Sequence, residues 1–238
     1  MMKIICVKDY DELSKVAAKI ITEQISVKPD SVLGLATGST PIGTYDKLIQ
    51  TYKNDEVNFA AVKTFNLDEY IGLARDNPQS YYDFMMEHLF YRVNIDRENI
   101  HVPNGTAPDI DAECERYENA IKDAGGIDLQ LLGIGQNGHI GFNEPDTVFY
   151  NKTRQAELAE STIESNKRFF ADEKDIPKSA ITMGIGTIMA ARKIILIAGA
   201  DKSKIINELK KEVVTPHLPA SILHYHPDAT IIYVEDQC

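Results

Sequence analysis

Short apolar runs and longer amphipathic stretches alternate along the whole chain. Leu13, Val16, Ala17 and Ile20 follow the i, i+3, i+4, i+7 spacing of one helix face, whereas residues 4–7 form a short apolar run rich in β-branched side chains. The pattern predicts strands at residues 4–7, 31–36, 62–67, 99–102, 128–134, 193–198 and 230–234. It predicts helices at residues 11–26, 41–52, 80–90, 109–123 and 202–211.

Regular alternation of strand and helix predicts a three-layer αβα fold. We expect an open, mainly parallel, Rossmann-like sheet with helices on both faces. The 238 residues contain no linker or repeat, so we expect a single domain over residues 1–238. Residues 151–178 are the most polar and least regular part, and they are interpreted as either a mobile lid or a surface excursion. In such sheets, ligands bind beyond the carboxyl ends of the strands.

The charge of the chain limits the ligands that it can bind. A net charge of −11 argues against nucleic acid as a partner, because nucleic-acid binding requires a basic face. An anionic ligand would need local devices, such as a helix N-terminus or a few well-placed Arg and Lys side chains.

Cysteine usage and the length of the apolar runs bear on location. Cys6, Cys114 and Cys238 are odd in number, widely spaced and without a CxxC pair, which favours idle thiols in a reducing compartment and no metal site. The first apolar run is too short for a signal peptide, and no run reaches the length of a membrane span. We therefore expect a cytoplasmic protein without a membrane partner.

Residues 37–41, TGSTP, join a predicted strand to a predicted helix. Gly38 lets the backbone approach a ligand closely, and Ser39 and Thr40 offer hydroxyl groups and N-cap side chains. Free N–H groups in the first helical turn form an anion site. The alternative is a plain capped turn. The GxxxxGK[ST] spacing of a nucleotide-binding loop is absent.

Residues 64–70, TFNLDEY, place two adjacent carboxylates after an apolar strand. A carboxylate such as Asp68, held at a strand end, can have its proton affinity tuned for work as a general base. The alternative is a solvated turn or a helix cap, and the segment taken alone favours that alternative.

Residues 133–145, GIGQNGHIGFNEP, form a glycine-rich loop after another predicted strand. The GxGxxG spacing within it is interpreted as accidental, because a dinucleotide fingerprint opens a helix and Gly141 and Pro145 interrupt one here. The loop presents His139, which can move protons near neutral pH, and Glu144 can orient that ring and fix its tautomer.

Two cations complete the candidate site. Arg168 lies in the segment NKRFF, and Lys202 follows the predicted strand 193–198. A lysine just past a strand end can reach a phosphate as a point charge. Either side chain by itself is consistent with ordinary surface charge. Together with the TGSTP loop, the two cations could bind an anionic ligand in an otherwise acidic protein.

In this order, TGSTP, TFNLDEY, GIGQNGHIGFNEP, NKRFF and the Lys202 segment closely resemble the glucosamine-6-phosphate deaminase family over essentially the whole chain. The resemblance implies the three-layer fold shared with phosphogluconolactonases and ribose-5-phosphate isomerases. It also implies conversion of glucosamine 6-phosphate and water to fructose 6-phosphate and ammonia, in amino-sugar catabolism and without a cofactor.

The same resemblance implies a role for each candidate residue. His139 would open the sugar ring with support from Glu144 and Asn137, and Asp68 would remove the proton on C2. The substrate phosphate would be held by Gly38, Ser39, Thr40, Arg168 and Lys202.

Two departures from the family pattern change what is expected. Several members carry an aspartate where this chain has Asn137, which can hydrogen-bond but cannot accept a proton, so we expect a changed pH profile with activity retained. Larger members are hexamers activated by an acetylated sugar phosphate. This chain lacks their C-terminal extension and resembles the short, often monomeric subgroup, so we expect a monomer or weak oligomer and no activation by N-acetylglucosamine 6-phosphate.

Two alternative functions stay open at this point. A 6-phosphogluconolactonase shares the fold and a His-bearing loop, but lactone hydrolysis needs no base such as Asp68 at C2. A sugar-phosphate sensor of a transcription regulator would be expected to carry a DNA-binding helix-turn-helix, and the sequence offers none.

Overall fold

A seven-stranded parallel sheet forms the centre of the molecule. The computed structural model describes residues 2–160, 163–164 and 176–235. Strands β1 to β10 are Lys3–Val7, Val32–Leu35, Lys63–Asn66, Asp68–Tyr70, Ile100–His101, Leu129–Leu132, Arg154–Glu157, Ser179–Thr182, Lys193–Ala198 and Ala229–Val234. The main sheet has the order β1-β10-β9-β6-β2-β3-β5, with every neighbouring pair parallel.

Helices cover both faces of this sheet. Helices α1 to α6 are Tyr10–Val27, Ile42–Lys53, Tyr81–His88, Ile110–Asp123, Ile185–Met189 and Ser203–Leu209. The Asp9 carboxylate caps α1 by accepting the Glu12 N–H at 2.8 Å, and the helix buries a stripe that includes Leu13, Ala17 and Ile21. All residues of β2, β6 and β10 are buried, as a parallel sheet covered on both faces requires. The predicted three-layer fold is confirmed.

The predicted strands of the main sheet are all present, with ends that differ by a few residues. The strand predicted at 193–198 coincides with β9, whereas the one predicted at 62–67 ends at Asn66. Leu67 then links two sheets: its N–H donates to the Leu35 carbonyl at 3.0 Å, and its carbonyl accepts the Met183 N–H at 2.8 Å.

The second sheet was not predicted. Strands β4, β8 and β7 form a small antiparallel sheet in that order. In β7 the sequence is RQAE, and Ala156 is its one buried residue, so the strand lacks the alternation of apolar side chains that marks a half-buried strand. Cross-strand pairing with β8, and not local pattern, makes this segment a strand.

The described residues at the start of the range 151–178 are therefore more regular than the sequence suggested, since β7 lies among them. Glu118 of α4 anchors their beginning, because its Oε1 accepts both the Thr153 N–H at 2.7 Å and the Thr153 hydroxyl at 2.6 Å. Arg168 falls outside the described residues, and the lid hypothesis stays a prediction.

The expectation of idle thiols is wrong for Cys6. Cys6 is disulfide-bonded, whereas Cys114 is a buried free thiol whose pKa burial raises to about 11. The cysteine pattern therefore no longer argues for a reducing compartment. Among the described residues, none of the helices is long and apolar enough to span a membrane.

The strand order explains how distant segments meet. Strands β9, β6, β2 and β3 are consecutive neighbours in the main sheet. Because they are parallel, their carboxyl ends share one edge. The loops that carry Lys202, His139, Gly38 and Asp68 therefore leave the sheet side by side.

Candidate active site

A cleft with a volume of about 1160 Å³ lies at this edge. All four strand ends contribute to its lining, which includes every predicted site residue within the described part of the chain except Glu144: Gly38, Ser39, Thr40, Asp68, Asn137, His139 and Lys202. Glu144 lies behind His139 and contacts it directly. Four segments that are far apart in the sequence thus form a single site.

Asp68 is the buried acid of the cleft. It begins β4, pairs with Thr182 of β8 and is 6% exposed. Burial, followed by the nearby negative charge of Glu69, raises the pKa of its carboxyl group to about 8. Such a group binds a proton tightly at neutral pH, as expected of a carboxylate suited to take a proton from carbon.

Glu69 faces away from the cleft. It is 2% exposed, and its carboxylate accepts the backbone N–H groups of Tyr70, Tyr81 and Tyr82 at 2.8, 3.0 and 2.9 Å. Burial raises its pKa to about 7, although these three hydrogen bonds oppose the shift. Of the two adjacent carboxylates, only Asp68 is placed to touch a ligand.

His139 is held by a network of three side chains. Its Nδ1 lies 3.1 Å from Glu144 Oε2, and the same oxygen accepts a hydrogen bond from Asn137 Nδ2 at 2.6 Å. The Asn137 side-chain oxygen in turn accepts the His139 backbone N–H at 3.2 Å. With Nδ1 engaged by the carboxylate, Nε2 is the ring nitrogen suited to exchange protons with a ligand.

Glycines shape the loop that carries this network. A Cβ at Gly135 would lie 2.3 Å from His139 Cε1, and one at Gly138, where φ is +87°, would lie 2.2 Å from Leu218. The backbone of Gly141 approaches the acid, since a Cβ there would lie 3.6 Å from Asp68 Oδ2. The loop therefore brings the histidine network and Asp68 to the same wall. No helix starts in this loop, so its GxGxxG spacing lacks the helix that a dinucleotide fingerprint opens.

The TGSTP loop follows β2, between the strands that lead to His139 and Asp68, and it lines the same cleft. Gly38 has φ +92°, and nothing lies within 4 Å of the place a Cβ would occupy, so the backbone is open to the cleft. Helix α2 starts at Ile42 without a side-chain cap, and the predicted capping by Ser39 or Thr40 is therefore wrong. Tyr10 braces the loop instead: its hydroxyl contacts the Ser39 and Thr40 carbonyls at 3.1 and 2.9 Å.

Lys202 supplies a positive charge to the cleft. Its side chain is 16% exposed, and Nζ lies 3.2 Å from Asp201 Oδ2. The Gln136 side-chain amide also donates to that oxygen at 3.0 Å, which ties the His139 loop to the segment after β9. Within the described residues, no group of three or more His, Cys, Asp or Glu side chains is placed to hold a metal ion.

Two tyrosines of the cleft were not predicted. The Tyr81 hydroxyl donates to the Tyr70 hydroxyl at 2.9 Å, and both rings pack near Phe142. For Tyr70 a signal existed, because residues 68 and 70 of a strand point to the same side. Tyr81 enters the site only through the packing of α3 against β4.

Comparison with known proteins places the chain among sugar-phosphate enzymes. A sequence profile of the family described as glucosamine-6-phosphate isomerases/6-phosphogluconolactonase matches residues 8–232. A glucosamine-6-phosphate deaminase of Clostridium novyi is 56% identical over 236 residues, which are 99% of this chain and 98% of the relative. One from Thermoanaerobacter pseudethanolicus is 55% identical over 232 residues, 97% and 92% of the two chains.

Comparison with solved structures agrees with these sequence comparisons. A monomeric glucosamine-6-phosphate deaminase superposes with a TM-score of 0.96 at 42% sequence identity, over 99% of this chain and 98% of that one. The 6-phosphogluconolactonase of Thermotoga maritima superposes with a TM-score of 0.78 at 23% identity. The second likeness concerns the fold alone.

Proposed function

Since the chain belongs to the family of glucosamine-6-phosphate isomerases and 6-phosphogluconolactonases, we propose that it converts glucosamine 6-phosphate and water to fructose 6-phosphate and ammonia. The observation that carries this proposal is the pairing of two proton-transfer groups in one cleft. A buried carboxyl group, Asp68, and a carboxylate-supported histidine, His139, both line it. Opening a sugar ring and shifting a carbonyl require acid–base groups at two positions of the sugar.

Ring opening is assigned to His139. Nε2 takes the proton of the anomeric hydroxyl and delivers it to the ring oxygen as the bond between C1 and that oxygen breaks. The result is the open-chain aldehyde. Glu144 on Nδ1 stabilises the charged imidazole that exists between the two proton transfers. Asn137 holds the carboxylate in place through its amide N–H.

Isomerisation and deamination are assigned to Asp68. Its carboxylate removes the proton on C2 and an enolamine forms. Return of a proton to C1 then gives an imine at C2, and water hydrolyses that imine to the ketone and ammonia. These steps move only protons and water, so the proposed reaction requires no electron carrier.

Phosphate binding is assigned to the TGSTP loop and to the cations. The open backbone at Gly38, the Ser39 and Thr40 segment and the Lys202 ammonium all line the cleft, and an anion near exposed N–H groups and a lysine is stabilised even in an acidic protein. Arg168 is proposed as a further phosphate ligand by its place in the family motif, and residues 151–178 as a lid that carries it.

Asp68 favours this function over the lactonase alternative. Hydrolysis of a lactone adds water to a carbonyl and removes no proton from C2, so a lactonase has no need of a buried base beside that carbon. Here the acid is placed on the cleft wall by two sheets, which is a costly arrangement for a group without a role.

Oligomeric state and location are proposed with the function. We propose a monomer, supported by the likeness to a solved deaminase described as monomeric over nearly the full length of both chains. A cytoplasmic location fits a phosphorylated substrate, whose charge prevents passage across a membrane. The net charge of −11 supports the absence of a nucleic-acid partner.

Ammonia release from glucosamine 6-phosphate tests the proposal. We expect turnover by wild type and a fall in kcat of at least about a hundredfold in Asp68→Asn and His139→Gln, which remove the two proton-transfer groups. Asp111→Asn, the same chemical change on the exposed side of α4, serves as control and should retain wild-type rates. A folded wild type that releases no ammonia would contradict the deaminase function, and gluconolactone 6-phosphate hydrolysis would then be assayed.

A further inference from the structure

Two carboxylates stand next to each other after β3, and the proposed reaction uses only one. Asp68 lines the cleft, whereas Glu69 is buried behind it with 2% exposure. A buried carboxylate is stable only when its charge is met by hydrogen bonds or ion pairs. The contacts of Glu69 show which part of the fold meets that requirement.

Glu69 binds the start of α3. Oε1 accepts the N–H groups of Tyr70 and Tyr81 at 2.8 and 3.0 Å, and Oε2 accepts the Tyr82 N–H at 2.9 Å. The next helical N–H, that of Asp83, is capped by the Ser80 hydroxyl at 3.0 Å. The first turn of α3 is thus satisfied by two side chains, one of which comes from the strand that carries Asp68.

Helix α3 forms a wall of the cleft. Tyr81, Phe84 and His88 from this helix line the cleft, and Tyr81 hydrogen-bonds to Tyr70 two residues after Asp68. The Glu69 carboxylate therefore joins the strand of the proposed base to the helix that faces the ligand. Its position fixes the distance between these two parts of the site.

Glu69 also acts on Asp68 through its charge. The two carboxyl groups are neighbours in a buried setting, where like charges disfavour ionisation. Tyr81 of α3 and Tyr117 of α4 face Asp68, Arg75 faces Glu69, and His139 lines the same cleft. Among these groups, Glu69 is the one whose charge raises the proton affinity of Asp68.

We propose that Glu69 is a positioning residue of the proposed deaminase site. Its carboxylate fastens α3 to β4, so that Tyr81 and Asp68 keep a fixed relation, and its charge favours the proton-holding form of Asp68. This inference rests on the proposed function, because Asp68 needs the role of base for its proton affinity to affect turnover.

Glu69→Gln tests the charge and the connection together. Glutamine has the length of glutamate but no charge. Its NH₂ group would face a backbone N–H from which the Glu69 carboxylate accepts a hydrogen bond in the wild type. We expect the acid limb of kcat/KM to move down by about 0.5 pH unit or more, because Asp68 ionises more easily without a like charge beside it. Plateau kcat should fall at least about fivefold, with KM within about twofold of wild type, because α3 is no longer fixed.

Glu113→Gln is the matched control. Glu113 is also a buried carboxylate, 7% exposed, and accepts the Asn104 N–H at 2.8 Å, but it does not line the cleft. Its variant should lose thermal stability while the acid limb stays in place. If Glu69→Gln likewise lowers only the melting temperature, and keeps the wild-type limb and kcat, the inference is overturned.

Glu69→Asp covers the case in which Glu69→Gln does not fold. Aspartate keeps the charge but is one methylene too short to reach all three N–H groups, so kcat should fall at least about fivefold while the acid limb stays within about 0.2 pH unit. Wild-type kcat in this variant overturns the inference. A wild type that releases no ammonia overturns the proposed function and this inference together, whereas an active wild type with unaltered Glu69 variants overturns this one alone.

Discussion

At the residue scale, Asp68 combines a buried position with a proposed role as a base, which needs its charged form. Two sheets meet at this residue, because Leu67 hydrogen-bonds to both of them and Asp68 opens the second. Water is largely excluded there, and the pKa of the carboxyl group rises to about 8. The desolvation that raises the proton affinity of Asp68 also lowers the stability of the folded protein whenever this carboxyl group is charged.

Asp68→Asn should therefore stabilise the protein in a pH-dependent manner. The folded-state pKa of about 8 exceeds an unfolded value of about 3.9. The stability contributed by the protonated group is complete below pH 4 and is lost as the pH rises through 8. Asparagine has no such loss. The difference in melting temperature between Asp68→Asn and wild type should therefore increase by several degrees between pH 5 and pH 8. A change of about 1 kcal/mol in the free energy of unfolding corresponds to 2–4 °C at this chain length.

Differential scanning calorimetry at pH 5, 6.5 and 8 measures this effect, with Asp111→Asn as the exposed control. A difference between Asp68→Asn and wild type that does not change with pH would show that Asp68 is not desolvated in the folded protein.

Asn137→Asp tests the amide that replaces the aspartate of other family members. The Asn137 amide donates to Glu144 Oε2 at 2.6 Å, and a second carboxylate there would share one proton with Glu144. We expect the acid limb of kcat/KM to move up by about 0.5 pH unit or more, with kcat retained within about tenfold. Asn119→Asp on the exposed face of α4 is the control. Superimposable pH profiles would mean that position 137 has no part in proton transfer.

At the element scale, the loop after β6 is a scaffold made by glycines and not by regular hydrogen bonding. Gly135 lies under the His139 ring, and Gly138 with its positive φ lies against Leu218. The packing of the loop accounts for these glycines without a bound nucleotide. They let a histidine and its two supporting side chains occupy a short stretch of chain at the sheet edge.

Gly135→Ala should displace the His139 ring, because the new methyl group would lie 2.3 Å from Cε1. We expect kcat to fall at least about tenfold with little change in melting temperature, since the ring and not the core has to move. Gly133→Ala adds the same methyl group to the cleft where no protein atom lies within 4 Å, so the ring keeps its place and kcat should fall less than in Gly135→Ala. Equal rates for both variants would argue against a need for this ring position.

The second sheet shows how an element can form without a local signal. In β4 the sequence DEY is fully buried, and in β7 the sequence RQAE is mostly not. Neither matches the alternating pattern of a half-buried strand. Pairing with β8 supplies their hydrogen bonds. Such segments are identified only after their partners are known.

At the scale of the whole molecule, the monomer proposal predicts simple kinetics. A monomer with one site gives a hyperbolic dependence of rate on substrate concentration, because cooperativity requires coupled sites. We expect a single species near 26.6 kDa in sedimentation velocity, and no change in the rate curve on adding N-acetylglucosamine 6-phosphate. A sigmoidal curve that the acetylated sugar makes hyperbolic would contradict both the monomer and the absence of activation.

The sequence by itself determined the strands of the main sheet, the helices named above other than α5, and which polar side chains follow the strand ends. Helix periodicity and short apolar runs act over a few residues, so the chain displays them directly. The same holds for His139 and Glu144, which are five residues apart and meet within one loop. The family motifs added a role for Asp68 that composition and spacing did not supply.

Only the tertiary structure decided which groups share the cleft and how each is buried. The order β9-β6-β2-β3 brings four distant loops to one edge, and the packing of α3 on β4 separates Asp68, which lines the cleft, from Glu69, which holds the helix. Desolvation and the contacts that oppose it depend on atoms far away along the chain. A local pattern cannot contain that information, and for this reason two adjacent carboxylates look equivalent in the sequence and differ in the fold.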